Sequence, residues 1–234
     1  MAVYEGSRSY PVASAESGER TAFIRRTYLH LAGAVAGFVT LEAFLLQSPF
    51  AESFMRLIGT SRYGWMMVLG AFMLTGWMAR GLAHSVDNVA AQYIGFGLYV
   101  IAEAIIFVPI LYIAVFHCSK SVLPNAAIMT GLLFAGLTAV AFTTGRDFSF
   151  LRGIITMGGF IALGLIICSM VFGFSLGLIF SGLMVGLASA AILYDTSKII
   201  RNYRTDQHVA AALELFASVA LLFWYILRIF MRRR

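Results

Sequence analysis

Seven apolar runs, separated by short polar or charged stretches, set the pattern of this chain. A helix needs about 20 apolar residues to cross about 30 Å of hydrocarbon. Thr27–Gln47, Tyr63–Ala83, Ala91–Val115, Val122–Thr143, Phe150–Gly173, Phe174–Asp195 and Val209–Met231 each have that reach. The pattern predicts an all-α membrane protein, a bundle of seven transmembrane helices. The fifth and sixth runs are nearly continuous through a turn near Val171–Ser175, so the alternative is six spans with one long kinked segment. The connections are too short to hold a soluble domain. Residues 1–26 read as a mobile polar tail, 27–231 as the membrane domain and 232–234 as a basic C-terminal end.

Composition narrows the class further. Apolar residues make up 60% of the chain, charged residues 12%, and the mean hydropathy is +0.86. A soluble domain is closer to half apolar and a quarter charged. The net charge of +6 does not point to nucleic acid, because the basic residues flank the apolar runs and form no aromatic-interleaved patch. The partner it implies is the lipid bilayer. Cys118 and Cys168 lie in different runs without a CxxC, which supports neither a disulfide framework nor a zinc site. No cleavable signal peptide is expected, since the first 26 residues lack a short apolar core and cleavage site. Glycines four apart, Gly173/Gly177 and Gly182/Gly186, read as seams where helix backbones come close.

Lysine and arginine set the orientation. With a cytoplasmic N-terminus, the inner side holds Arg8, Arg20, Arg25, Arg26, Arg80, Arg146, Arg152, Lys198, Arg201 and Arg204. The outer loops then hold Arg56, Arg62 and Lys120, the bias expected of an N-terminus inside. Seven full crossings place Arg232, Arg233 and Arg234 outside, against the same rule. The tail is therefore either translocated regardless, or the last segment does not cross simply.

Acids inside the apolar runs are the candidate chemistry, because a charge at span centre costs about 2.5–3.5 kcal/mol on insertion scales. Asp195 closes the sixth run, where Tyr194 and Thr196 are candidate donors to it. Glu214 lies shortly inside the seventh run and reaches a similar depth. Two nearby carboxylates resist ionising together, so such a pair can hold a proton or bind a hard cation through oxygen. The plain alternatives are an interfacial aspartate and a glutamate paired with a basic side chain. Arg80 ends the second run at the same surface and can bridge to Asp195, or serve only topology. Glu103 sits near the middle of the third run, six residues before Pro109, which suits either a permeation path or one structural hydrogen bond. Glu42, toward the outer end of the first run, says less. His30, His84, His117 and His208 all fall at run ends and read as interfacial, not as metal ligands.

The segment GLMVGLASAAILYDTSKIIRNY, followed by a short loop and a last apolar helix, resembles the Bax inhibitor-1 family of membrane proteins. The resemblance covers roughly residues 20–231 and rests chiefly on the Tyr-Asp-Thr end of the sixth run. It implies six helices around a central seventh. It also implies an integral protein of the bacterial inner membrane, linked to stress. Several members are pH-sensitive calcium leaks, in which an aspartate ending the sixth span pairs with an acid on the seventh. An arginine of the second span latches the closed form. Carried over, the first acid is Asp195 and the latch Arg80. Ser218 stands where those members place the second acid, with Glu214 one helical turn earlier on the same face.

Two functions are expected from different classes. The first is a pH-sensitive calcium or cation leak, with Asp195, Glu214 and Ser218 as sensor and ion site, Arg80 as latch and Glu103 on the pathway. Calcium would meet Asp195 and Glu214 as a permeant ion, with no other cofactor. The second is a stress-linked regulator that binds an ATP-dependent membrane protease through a partner surface and the N-terminal tail. An enzyme is not expected: an intramembrane aspartyl protease needs GxGD on a neighbouring span, which is absent, as is HExxH.

Overall fold

The computed structural model describes residues 11–60, 64–85 and 88–232. Arg8, Arg62, Tyr63, Arg233 and Arg234 lie outside the described residues. A 3-10 turn at Val12–Ser14 leads into α1 (Ser17–Gln47), α2 (Pro49–Thr60), α3 (Gly64–Ala83) and α4 (Val89–Phe116). Then follow α5 (Val122–Thr144), α6 (Leu151–Phe172), α7 (Gly177–Arg201) and α8 (His208–Met231). All of these except α2 are long and apolar enough to cross a membrane, which gives seven spans. The six-span alternative fails at Gly173 and Gly177. Both have φ of 76°, a left-handed conformation that glycine adopts without a Cβ penalty, and they separate α6 from α7. Pro109 does not end α4, which runs on to Phe116.

The last helix is central. Val209 through Leu213 are five consecutive residues with no exposure, more than one full turn, so α8 is covered on every side there. Three of the five are alanines, and small side chains let α1, α3, α4, α5 and α7 close around α8. Lipid tails are as apolar as leucine, so this closeness depends on van der Waals fit more than on expulsion of water. The outer faces are apolar as well: Trp77, Phe172, Ile179 and Leu183 are all at least 70% exposed, as expected of side chains that meet lipid. Helix α6 is the most peripheral, with Ala162 as its one buried residue. It is held mainly along α7, where Gly158 meets Leu187.

Two features depart from the sequence expectation, and a third bears on an alternative it left open. The segment after the first span is a helix, α2, with a strongly one-sided apolar face. Ala51 and Ile58, seven apart, are buried, while Phe50 stacks on Phe54 at 5.3 Å. Its length and polarity suit a helix lying in the interface. The tail is also shorter than expected. Helix α1 begins at Ser17, and Val12, with no exposure, donates its backbone N–H to the Tyr203 carbonyl at 2.8 Å. Residues 11–16 are thus a strap on the α7–α8 loop, where burial of Val12 outweighs the local polarity. Finally, the C-terminal Arg232 lies beside Gly177, at the end of the bundle opposite the strap. The last segment therefore runs the full length of the bundle.

Candidate functional site

The ends of α3, α7 and α8 meet below the strap and bring a set of polar side chains around the central helix. Asp195 lies on the last turns of α7 and is 8% exposed. Ser218 donates its hydroxyl to Asp195 Oδ2 at 2.6 Å, the length of a charge-assisted O–H···O bond. Tyr194 and Thr196, the donors expected from the sequence, are not the ones used. Successive helical residues point about 100° apart, which turns both away. Thr196 is fully buried beside Tyr28 of α1, and the Tyr194 ring lies 5.9 Å from Lys198 Nζ.

Glu214, one turn before Ser218, has cationic company. Lys198 Nζ lies 3.2 Å from Glu214 Oε2, and His84 Nε2 lies 3.4 Å from Oε1. The two acids are within electrostatic range of each other, yet each has its own partners. Of the two plain readings offered for Glu214 and Asp195, the pairing of Glu214 with a basic side chain is the one seen. Lys198 and His84 were passed over as topogenic and interfacial. The available signal was spacing: Lys198 is three residues after Asp195, on neighbouring sides of one helix end.

Tyr203 links this cluster to the strap. Its carbonyl receives the Val12 N–H, and its ring lies 5.2 Å from Lys198 Nζ. Burial, reinforced by the nearby Glu214 charge, pushes its phenol well above the ordinary range. His84 sits just past the end of α3, where Nδ1–H donates to the Arg80 carbonyl at 2.9 Å. Its pKa is raised, first by the hydrogen bond to Glu214, with burial opposing. A raised imidazole pKa stabilises the fold fully below the unfolded value of about 6.5, and that contribution fades as pH rises through the folded value. Wild-type protein is therefore expected to lose thermal stability on alkalinisation through neutrality more steeply than His84→Gln, measured by melting in detergent. The difference is about 1 kcal/mol or less, because water screens a side chain exposed by 38%. Parallel curves for the two proteins would contradict it.

Arg80 does not bridge to Asp195: among the described residues no such ion pair occurs. The guanidinium instead sits 5.4 Å from the Tyr99 ring centroid and reaches the Tyr99 hydroxyl at 3.4 Å. The reason is the packing of α3 on α4. Gly76, one turn before Arg80, already lies against Tyr99, so the arginine stacks on the same ring. It remains within electrostatic range of Asp195 and of Glu103.

Glu103 lies one turn beyond Tyr99 on α4, 6% exposed, with Oε2 lacking a hydrogen-bond partner among the described residues. It lines a cavity of about 570 Å³ bounded by Phe72, Phe107, Leu163, Trp224 and Arg228. Glu42 is a second buried acid, which sequence reasoning gave no role: it is 4% exposed and neither oxygen has a partner among the described residues. No group of three or more His, Cys, Asp or Glu that could hold a metal occurs among the described residues. Calcium takes six to eight oxygens. Asp195, Ser218 and a Glu214 already committed to Lys198 and His84 do not make a resident calcium cage.

One enzyme-like pattern escaped the sequence reading. Gly173-Phe174-Ser175-Leu176-Gly177 matches the letters of GxSxG. That motif works by raising a serine on a strand-to-helix turn. Here the segment joins two helices and Ser175 is exposed, without a hydrogen bond to a histidine or acid among the described residues.

Comparison with known proteins agrees with this architecture. The family described as "Inhibitor of apoptosis-promoting Bax1" matches residues 20–234. An uncharacterized protein of Pseudomonas aeruginosa is 34% identical over 222 residues, covering 93% of this chain and 92% of its own. Protein LIFEGUARD 1 of Arabidopsis thaliana is 31% identical over 121 residues, 48% of this chain and 51% of its own. An uncharacterized membrane protein of Vibrio cholerae is 30% identical over 109 residues, 46% of this chain and 48% of its own. No solved structure gives a significant match. Seven spans, the last of them buried among the others, with a family match along nearly the whole chain, make this multi-pass membrane protein a member of the Bax inhibitor-1 family.

Proposed function

We propose that the chain is a proton-sensitive cation leak, with calcium as the permeant ion. It works in a bacterial inner membrane with its N-terminus in the cytoplasm. The observation that carries this reading is Asp195: a buried carboxyl on a helix end, held by a 2.6 Å bond from Ser218. As a carboxylate it attracts Arg80 and Lys198 and draws a charge-assisted bond from α8, a bond about twice as strong as a neutral one. As a neutral acid it loses the attraction and keeps only the weaker bond. Protonation thus loosens the meeting of α3, α7 and α8 and raises the open population. In this reading Arg80 latches through space from its place on Tyr99, without direct contact.

Glu103 adds a place on the path, because a buried oxygen without a partner among the described residues, on an acid that lines a cavity, can accept a passing cation. Calcium is cargo at Asp195 and Glu214, touched briefly and not caged. The orientation draws support from Arg20, Arg80, Arg146, Lys198, Arg201 and Arg204 on the N-terminal side, and the bacterial membrane from relatives in two bacteria. The test is calcium flux into proteoliposomes with the external pH stepped. Flux should rise on acidification. A flux equal to that of protein-free liposomes at every pH would end the reading.

A further inference from the structure

A polar cavity lies on the strap side of the bundle. It measures about 210 Å³, sits between the start of α1, the end of α5 and the end of α7, and is lined by Arg20, Arg146 and Arg201. Gly145, in the left-handed conformation at φ of 55°, turns the chain out of α5 and places Arg146 on the rim. The turn is pinned to α7: Ser197, 3% exposed, accepts the Phe148 N–H at 3.3 Å, and Arg201 donates to the Gly145 carbonyl. These bonds fix the wall that carries two of the three guanidinium groups.

Three like charges around one cavity repel each other, so the arrangement calls for an anion. Among the described residues neither Arg20 nor Arg146 forms an ion pair, although acids are near in sequence. Asp147 spends Oδ1 on the Ser149 N–H at 2.9 Å, and Glu16, just before α1, and Glu19, on its first turn, form no ion pair with either arginine. Each guanidinium offers five N–H donors in a planar fork that matches a tetrahedral oxyanion. Helix α1, with 31 residues, is ~46 Å long at about 1.5 Å per residue. It outreaches about 30 Å of hydrocarbon, so its first turns, with Arg20, stand at headgroup level. The apolar edge of the cavity is Phe142, and Val140 beyond it is 45% exposed.

We propose that this cavity binds a phosphate group, held by Arg20, Arg146 and Arg201. The group belongs either to an anionic lipid headgroup or to free phosphate. Basic pockets between spans at the cytoplasmic face are suited to such headgroups. The site lies on α1, α5 and α7, so it can be tested apart from any flux.

The experiment measures melting of the full-length protein in nonionic detergent, with phosphatidylglycerol, phosphatidylcholine or sodium phosphate added. Phosphatidylglycerol should raise the midpoint and phosphatidylcholine should not, and a rise with sodium phosphate marks bare phosphate as sufficient. Arg20→Gln with Arg146→Gln should bind the effective ligand about tenfold or more weakly. Neither side chain donates a hydrogen bond within the described protein and their mutual repulsion is relieved, so the variant should melt no lower than wild type without ligand. Arg56→Gln, on α2 at the far end, should respond as wild type. Should the double variant fold poorly, phosphatidylglycerol adducts counted by native mass spectrometry on wild type at rising salt replace it, and they should decline as salt screens the arginines. Equal response of wild type and double variant, or salt-independent adducts, overturns the proposal.

Discussion

Replacing Asp195 by Asn is expected to flatten the pH dependence of calcium flux. Asn keeps the size of the side chain and an oxygen that can accept from Ser218, but it cannot ionise. The charge that draws Arg80 and Lys198 is then missing at every pH. Flux at neutral pH should resemble that of acidified wild type. A coupling of about 1–3 kcal/mol between proton and gate corresponds to roughly 5- to 150-fold, and the difference at neutral pH should fall in that range. Ser218→Ala serves as the companion: it removes the 2.6 Å bond but leaves the titrating group, so a pH dependence persists. An unchanged pH profile in Asp195→Asn would place the proton sensor elsewhere, with Glu103 or the His84–Glu214 pair as the next candidates.

The companion variant bears on what could be seen in the sequence. The spans were legible because bilayer thickness leaves little freedom: seven apolar runs became seven helices within a few residues at most ends. Starts of helices were less legible where another force acted. Ser17–Arg26 looked polar, yet this stretch continues α1 because a helix longer than the hydrocarbon carries its charges out to the interface. Helix α2 was missed because 12 residues cannot span, and a search for spans passes over the one-sided placement of Ala51 and Ile58. At the site, the sequence placed Asp195 and Glu214 at similar depth and the resemblance pointed to Ser218, and the structure brings all three to the same end of α7 and α8. Depth follows from counting along a helix. Partner choice does not, because it depends on rotation and on neighbours far away in the chain. Arg80 found Tyr99 and not Asp195, and Glu214 found Lys198 and His84, for that reason.

Gly95→Ala is expected to damage the bundle with a single methyl, and Gly97→Ala, two residues on, to be nearly harmless. A Cβ on Gly95 would lie 2.5 Å from the Ala79 carbonyl oxygen, 2.8 Å from the Ala83 nitrogen and 2.8 Å from Leu82 Cβ. Two of these are backbone atoms of α3, which no rotamer change can move aside, so α3 must shift from α4. Overpacking of this kind costs about 1–3 kcal/mol, against up to about 1 kcal/mol gained from alanine's better helix propensity. The sign is a net loss of stability, because the clash is with main chain. At Gly97 nothing lies within 4 Å, so only the propensity gain remains. Leucine truncations in α8 loosen packing locally, but a displaced α3 carries Arg80 and His84 with it, away from Tyr99 and Glu214. Melting in detergent should therefore fall for Gly95→Ala and hold or rise for Gly97→Ala. The pH dependence of stability should weaken in Gly95→Ala, as is expected of His84→Gln. Equal melting of the two glycine variants would mean that α3 and α4 are not in the close contact on which the placement of Arg80 and His84 depends.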